Sequence, residues 1–182
     1  MKIIRSLEQL HTFTEPCVIA LGTFDGLHLG HKDVIGSAKE YAKQQGEKLA
    51  VFTFSNHPLS LIKPELVPVA LLTQEQKHAC FEEMGVDLLL DIPFDEALAN
   101  LSPAEFLQKL SVLKFSCLVC GENFSFGSKG AGNIHSVAAL YTGDLVATHI
   151  DNAGIADFPG NIHNITLTVL QHQFKGLTDR DG

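Results

Sequence analysis

The sequence predicts an α/β fold: a single domain over residues 1–182, organised as a parallel sheet with helices on both faces. Three observations lead there. Short apolar runs recur along the chain without a polar alternate face, the pattern of strands buried on both sides. Segments with apolar residues at helical spacing separate them. Finally, 182 residues that are 45% hydrophobic and 19% charged suffice for one core and are too apolar for a disordered chain.

The first apolar run, Cys17-Val18-Ile19-Ala20-Leu21, reads as a buried strand. After a glycine-bearing turn, Val34, Ile35, Ala38, Tyr41 and Ala42 follow helical spacing. Residues 49–54 form a second strand. Thr73-Gln74-Glu75-Gln76 has the form of a capping box, opening a helix with Cys80, Phe81 and Met84 on its apolar side. Residues 86–92 make a third strand. Ser102-Pro103-Ala104-Glu105 is a stronger helix start, with an N-cap, a first-turn proline and a reciprocal Glu, and Phe106, Leu107 and Leu110 supply the buried stripe. A strand over 115–120, a helix around 136–141 and a strand at 145–150 complete the pattern. No internal repeat or low-complexity tract interrupts it.

Parallel sheets of this kind bind ligands beyond the carboxyl ends of their strands. Three segments each follow a strand and so share one rim: the turn carrying His28 and His31, Phe54-Ser55-Asn56-His57-Pro58, and Gly121-Glu122-Asn123-Phe124-Ser125-Phe126-Gly127. In the first, small residues allow close backbone approach to a ligand. The helix start that follows offers unpaired N–H groups and the positive end of a dipole, a site suited to phosphate. His28 and His31, three apart, share a face if the turn is helical. Two imidazoles aimed at phosphate oxygens point to nucleotide chemistry.

A formal net charge of −8 argues against nucleic acid or an anionic membrane as the main partner. Eleven lysines accompany only two arginines, Arg5 and Arg180, neither in a motif. A phosphate site here must use histidine, lysine, backbone amides and a metal ion in place of the arginine fork. No apolar stretch approaches the roughly 20 residues that span a bilayer. The start, Met1-Lys2-Ile3-Ile4-Arg5-Ser6, lacks the core of a signal peptide. A cytoplasmic location is expected. Cys117 and Cys120 form a C-x-x-C, open to a redox or zinc reading. Their odd separation in a strand points them to opposite faces instead, as structural thiols. The histidines at 11, 78, 135, 149, 163 and 172 follow no ligand spacing, and no metal-ligating protein cluster is expected.

With these segments together, the chain resembles the bacterial FAD synthetases, specifically their FMN adenylyltransferase module, a Rossmann-like relative of the H-x-G-H nucleotidyltransferases. G-x-F-D-G-x-H-x-G-H matches at every fixed position from Gly22 to His31. The family's F-x-P-H-P loop is Phe54-Ser55-Asn56-His57-Pro58, with Asn56 in place of the first proline. L-T-x-x-x-K is Leu72 to Lys77, and G-x-(N/D)-F-x-F-G is complete from Gly121 to Gly127. Two further features depart from the pattern. The family's riboflavin kinase module does not follow before Gly182, so kinase activity is not expected and a separate kinase would supply FMN. The motif like I-S-S-T-x-x-R has its best match at Ile165-Thr166-Leu167-Thr168-Val169-Leu170-Gln171. There Leu167 replaces a serine and Gln171 the arginine. A cation lost from developing phosphate charge costs about 3 kcal/mol or more, so turnover is expected to be slow.

The resemblance implies adenylyl transfer from ATP to FMN, giving FAD and pyrophosphate. Positioning and charge neutralisation would suffice for catalysis, with Mg2+ bridging the β- and γ-phosphates. It assigns His28 and His31 to the reacting phosphates, and Gly22, Thr23, Phe24, Asp25, Gly30, Asn123, Thr166 and Thr168 to ATP. Phe54, His57, Pro58, Asn123 and Phe126 fall on the flavin side, where an aromatic ring can stack on isoalloxazine. Lys32 and Lys129 would supplement the charge. Local readings compete for several of these. Phe54 could be core, His57 and Asp25 could serve their own turns, and Asn123 a left-handed turn. Two other functions stay open: a flavin- or adenine-nucleotide-binding regulatory protein without catalysis, and nucleotidyl transfer to another phosphorylated small molecule.

Overall fold

A computed structural model describes residues 1–121, 124–133, 137, 145–150 and 165–170, the last two segments as backbone strands. Its centre is a seven-stranded sheet: β1 (Lys2–Ile4), β2 (Cys17–Leu21), β3 (Lys48–Phe54), β4 (Leu88–Ile92), β5 (Phe115–Gly121), β8 (Leu145–Ile150) and β9 (Ile165–Leu170). The order is β1-β4-β3-β2-β5-β9-β8, and every pairing is parallel. A short antiparallel pair, β6 (Ser125–Phe126) and β7 (Gly132–Asn133), stands apart.

Side-chain alternation splits the core into two layers. Ile19, Leu21, Phe52, Leu90, Leu118 and Cys120 pack on one face against Leu10 and against Phe106, Leu107 and Leu110 of α5 (Pro103–Leu110). Val18, Ala20, Val51, Leu89, Cys117 and Val119 pack on the other against Val34, Ile35, Ala38 and Ala42 of α1 (Leu29–Gln45) and Phe81 of α3 (Gln74–Glu83). Both faces are therefore covered, which is why β2 is apolar at all five positions. Cys117 and Cys120 lie in opposite layers, and burial pushes the Cys120 thiol up to about 12.

Helix boundaries follow local chemistry. Thr73 and Gln76 close a reciprocal capping box at the start of α3. Ser102 and Glu105 do the same at α5, with Pro103 in the first turn. Gly46 ends α1 in the left-handed conformation, φ 69°. Two short helices, α2 (Leu59–Ile62) and α4 (Glu96–Ala99), have too few residues for periodicity to reveal.

Three differences from the sequence expectation concern the sheet. The edge strand β1 is only three residues long, below the length at which a pattern is visible. The third strand begins at Leu88, two residues later than expected. The segment matched to the phosphate motif is a strand, β9, inserted between β5 and β8. The expected helix at 136–141 lies outside the described residues, save for buried Val137.

Candidate active site

In the sheet order, β2 sits between β3 and β5, and the winding direction reverses at the β2/β5 boundary. Leu21 pairs with Phe52 on one side and Cys120 on the other, so the three strands end nearly level. Their loops consequently surround one crevice, a switch-point site. A cavity of about 630 Å³ opens there, within the range of small-molecule sites.

The geometry of the histidine turn begins with α1. His28 is its N-cap residue and stays exposed, while His31 occupies the third helical position. One turn of helix brings their rings into a stack, with centroids 3.6 Å apart and planes 24° from parallel. Phe24 meets the His31 ring edge-on at 5.3 Å. Burial, then the neighbouring His28, lowers the His31 pKa below 6.5. Its Nδ1 is buried and has no hydrogen-bond partner among the described residues.

Phe24 and Leu27 adopt positive φ values of 46° and 44°. Such strain in a binding turn persists only when surrounding packing holds it. Here the Phe24 ring is 1% exposed and also meets Phe81 edge-on. Gly22 also has a packing role beside its place on the cavity wall. A Cβ at Gly22 would lie 2.6 Å from the Phe24 ring, so this glycine makes room for the aromatic plug.

Aromatic side chains form the opposite wall. Phe54, half-buried at the end of β3, packs edge-on against Phe52 and Phe94. Phe126 lies between Phe106 and Phe124, with centroids at 5.4 and 6.4 Å. Gly127 permits this, because its φ is 75° and a Cβ would strike the Pro103 ring and backbone at 2.7 Å. His57 Nδ1 accepts the Leu59 N–H at 3.1 Å, which leaves Nε2 facing Asp25 Oδ2 at 3.8 Å.

Comparison with known proteins follows the same lines. The FAD synthetase family model matches residues 10–154. The chain belongs to the FAD synthetase family. The bifunctional riboflavin kinase/FMN adenylyltransferase of Bacillus subtilis is 37% identical over 156 residues, covering 83% of this chain and 49% of the relative. That of Listeria monocytogenes is 33% identical over 160 residues, covering 87% and 51%. The chain thus spans about half the length of these curated relatives. A solved structure titled macrolide-efflux protein, from Streptococcus pneumoniae, covers 77% of this chain and 54% of that one at 22% identity and TM-score 0.68, and shares the fold.

Of the residues expected at an FAD synthetase site, Gly22, Thr23, Phe24, His28, Gly30, His31, Phe54, His57, Pro58 and Phe126 all line the cavity. Asp25, Lys32 and Lys129 are not on its wall. Asp25 instead faces His57, linking the two loops. Asn123 and Gln171 lie outside the described residues. Thr166 and Thr168 fall within β9, before its last residue Leu170. Asn56, which departs from the family's proline, acquires a structural role. Its amide accepts the Phe94 N–H at 2.7 Å and donates to the Phe94 carbonyl at 3.1 Å, tying the loops after β3 and β4 together. Sequence reasoning missed two groups. Lys77, quoted only as part of a motif, is buried behind the site, and His78, read as unremarkable, bonds Asp91 of β4 at 2.9 Å. The lone polar positions Thr53 and Asp91 inside apolar strands were the available signal.

Proposed function

We propose that this chain transfers the adenylyl group of ATP to the phosphate of FMN, forming FAD and releasing pyrophosphate. One observation carries the reading: a stacked imidazole pair at a helix start and a set of aromatic rings line the same cavity. Family membership supports the reading, since the relatives are named as FMN adenylyltransferases. An FMN phosphate oxygen attacks the α-phosphorus in line, a P–O bond forms, and the α–β bridging bond breaks. No protein nucleophile is required. His28 and His31 donate to α- and β-phosphate oxygens, helped by the N–H groups opening α1. Phe54, His57, Pro58 and Phe126 hold the flavin. Mg2+ enters with ATP as part of the substrate, and FMN comes from a riboflavin kinase.

Incubation with FMN, ATP and Mg2+, followed by chromatography, is expected to yield FAD and pyrophosphate in equal amounts. No product at saturating substrate overturns the reading. On this reading turnover is expected to be slow because Gln171 stands where the family pattern has arginine, and Gln171→Arg is expected to raise the rate.

A further inference from the structure

The nucleotide turn and the flavin wall come from different strands, yet one side chain grips both. Lys77 projects from α3 and is 6% exposed. Its Nζ donates to the Thr23 carbonyl at 3.1 Å, the Thr53 hydroxyl at 2.9 Å and the Phe54 carbonyl at 3.3 Å. Thr53 in turn donates its hydroxyl to the same Thr23 carbonyl at 2.6 Å. That carbonyl immediately precedes Phe24, the strained residue whose ring supports His31. Phe54 lies on the aromatic wall. One turn earlier on α3, Gln74 donates to the Ser55 carbonyl, so two side chains of one helix face hold the loops.

A buried ammonium is costly unless its donors are satisfied. Here three oxygens satisfy them, and desolvation still lowers the Lys77 pKa against the opposing pull of Asp91 and Asp25. A surface lysine would hold no loop, and a simple core position would take leucine. We propose that Lys77 is a positioning residue that fixes the distance between the nucleotide turn and the flavin wall, and so aligns the two substrates for transfer. The inference rests on the adenylyl-transfer reading above. The ammonium touches neither substrate. It acts through two backbone carbonyls.

Lys77→Met keeps the aliphatic stem and removes the grip. Because misplacing reactants by an ångström carries a penalty near 10²-fold, kcat for FAD formation is expected to fall about 10²-fold, with each KM within about threefold of wild type. FMN binding by calorimetry keeps the wild-type stoichiometry, which a misfolded fraction would lower. Thr53→Val removes the second donor to the Thr23 carbonyl and is expected to give a smaller loss of the same kind, so the question is decided even if Lys77→Met folds poorly. Hydrogen exchange in the substrate-free protein supplies a readout independent of turnover. Peptides over 22–31 and 54–58 exchange faster together in Lys77→Met, while those over 17–21 and 88–92 keep wild-type rates. An unchanged kcat in a folded Lys77→Met, an unchanged kcat in Thr53→Val, or faster exchange in one loop alone overturns the proposal. If the wild-type chain forms no FAD, the adenylyl-transfer reading fails, and the exchange comparison alone decides whether Lys77 joins the loops.

Discussion

His31 is held in its neutral form near neutrality by burial and by the ring of His28. The unfolded chain takes up a proton on this residue at higher pH than the folded chain does. Stability therefore rises with pH through the interval from the lowered folded value up to 6.5, and falls on acidification through it. An NMR titration is expected to place the His31 midpoint below that of an unfolded reference. On the proposed reading, removing either imidazole takes a donor from developing phosphate charge. His28→Ala and His31→Ala are each expected to lower the rate of FAD formation by about 10²–10³-fold. The exposed His28 variant is expected to melt close to wild type, with calorimetric scans as the check. These histidines were legible in the sequence because a three-residue spacing at a helix start puts both rings on one face, and the structure stacks them there. Lys77 was not, because a lysine in a helix looks solvated until the packing of α3 against β3 is known.

At the level of elements, turn and helix act together. The turn after β2 is strained at Phe24, and its ring fits only because Gly22 lacks a Cβ. Gly22→Ala forces the ring out of place and is expected to cost about 1–3 kcal/mol, read from the urea midpoint, with loss of FAD formation alongside. Capping boxes made α3 and α5 visible in advance, since Thr73-x-x-Gln76 and Ser102-x-x-Glu105 satisfy orphan donors by side chains alone. The apolar strands β2, β3 and β5 were equally plain. β1 and β9 were not. One is too short to show a period, and the other reads only as a motif match, with no element assigned, until its pairing with β5 is known.

For the molecule as a whole, strand order decides function. The sequence marked three loops as sharing a rim, and the order β3-β2-β5 makes them neighbours. Among the described residues, no group of three or more His, Cys, Asp or Glu could hold a metal ion, and no helix is long and apolar enough to cross a membrane. On the proposed reading, a divalent ion would come with the triphosphate. EDTA is expected to stop FAD formation while leaving FMN binding, measured by flavin fluorescence, at its original affinity.

The central strands also carry a consequence unconnected with nucleotides. Cys17, Cys117 and Cys120 are sealed within β2 and β5, while Cys80 is partly open to water. A thiol-labelling reagent would therefore mark Cys80 first and reach the other sulfurs only when the sheet itself comes apart. The chain carries its own clock for global opening, with three silent hands that start to move together.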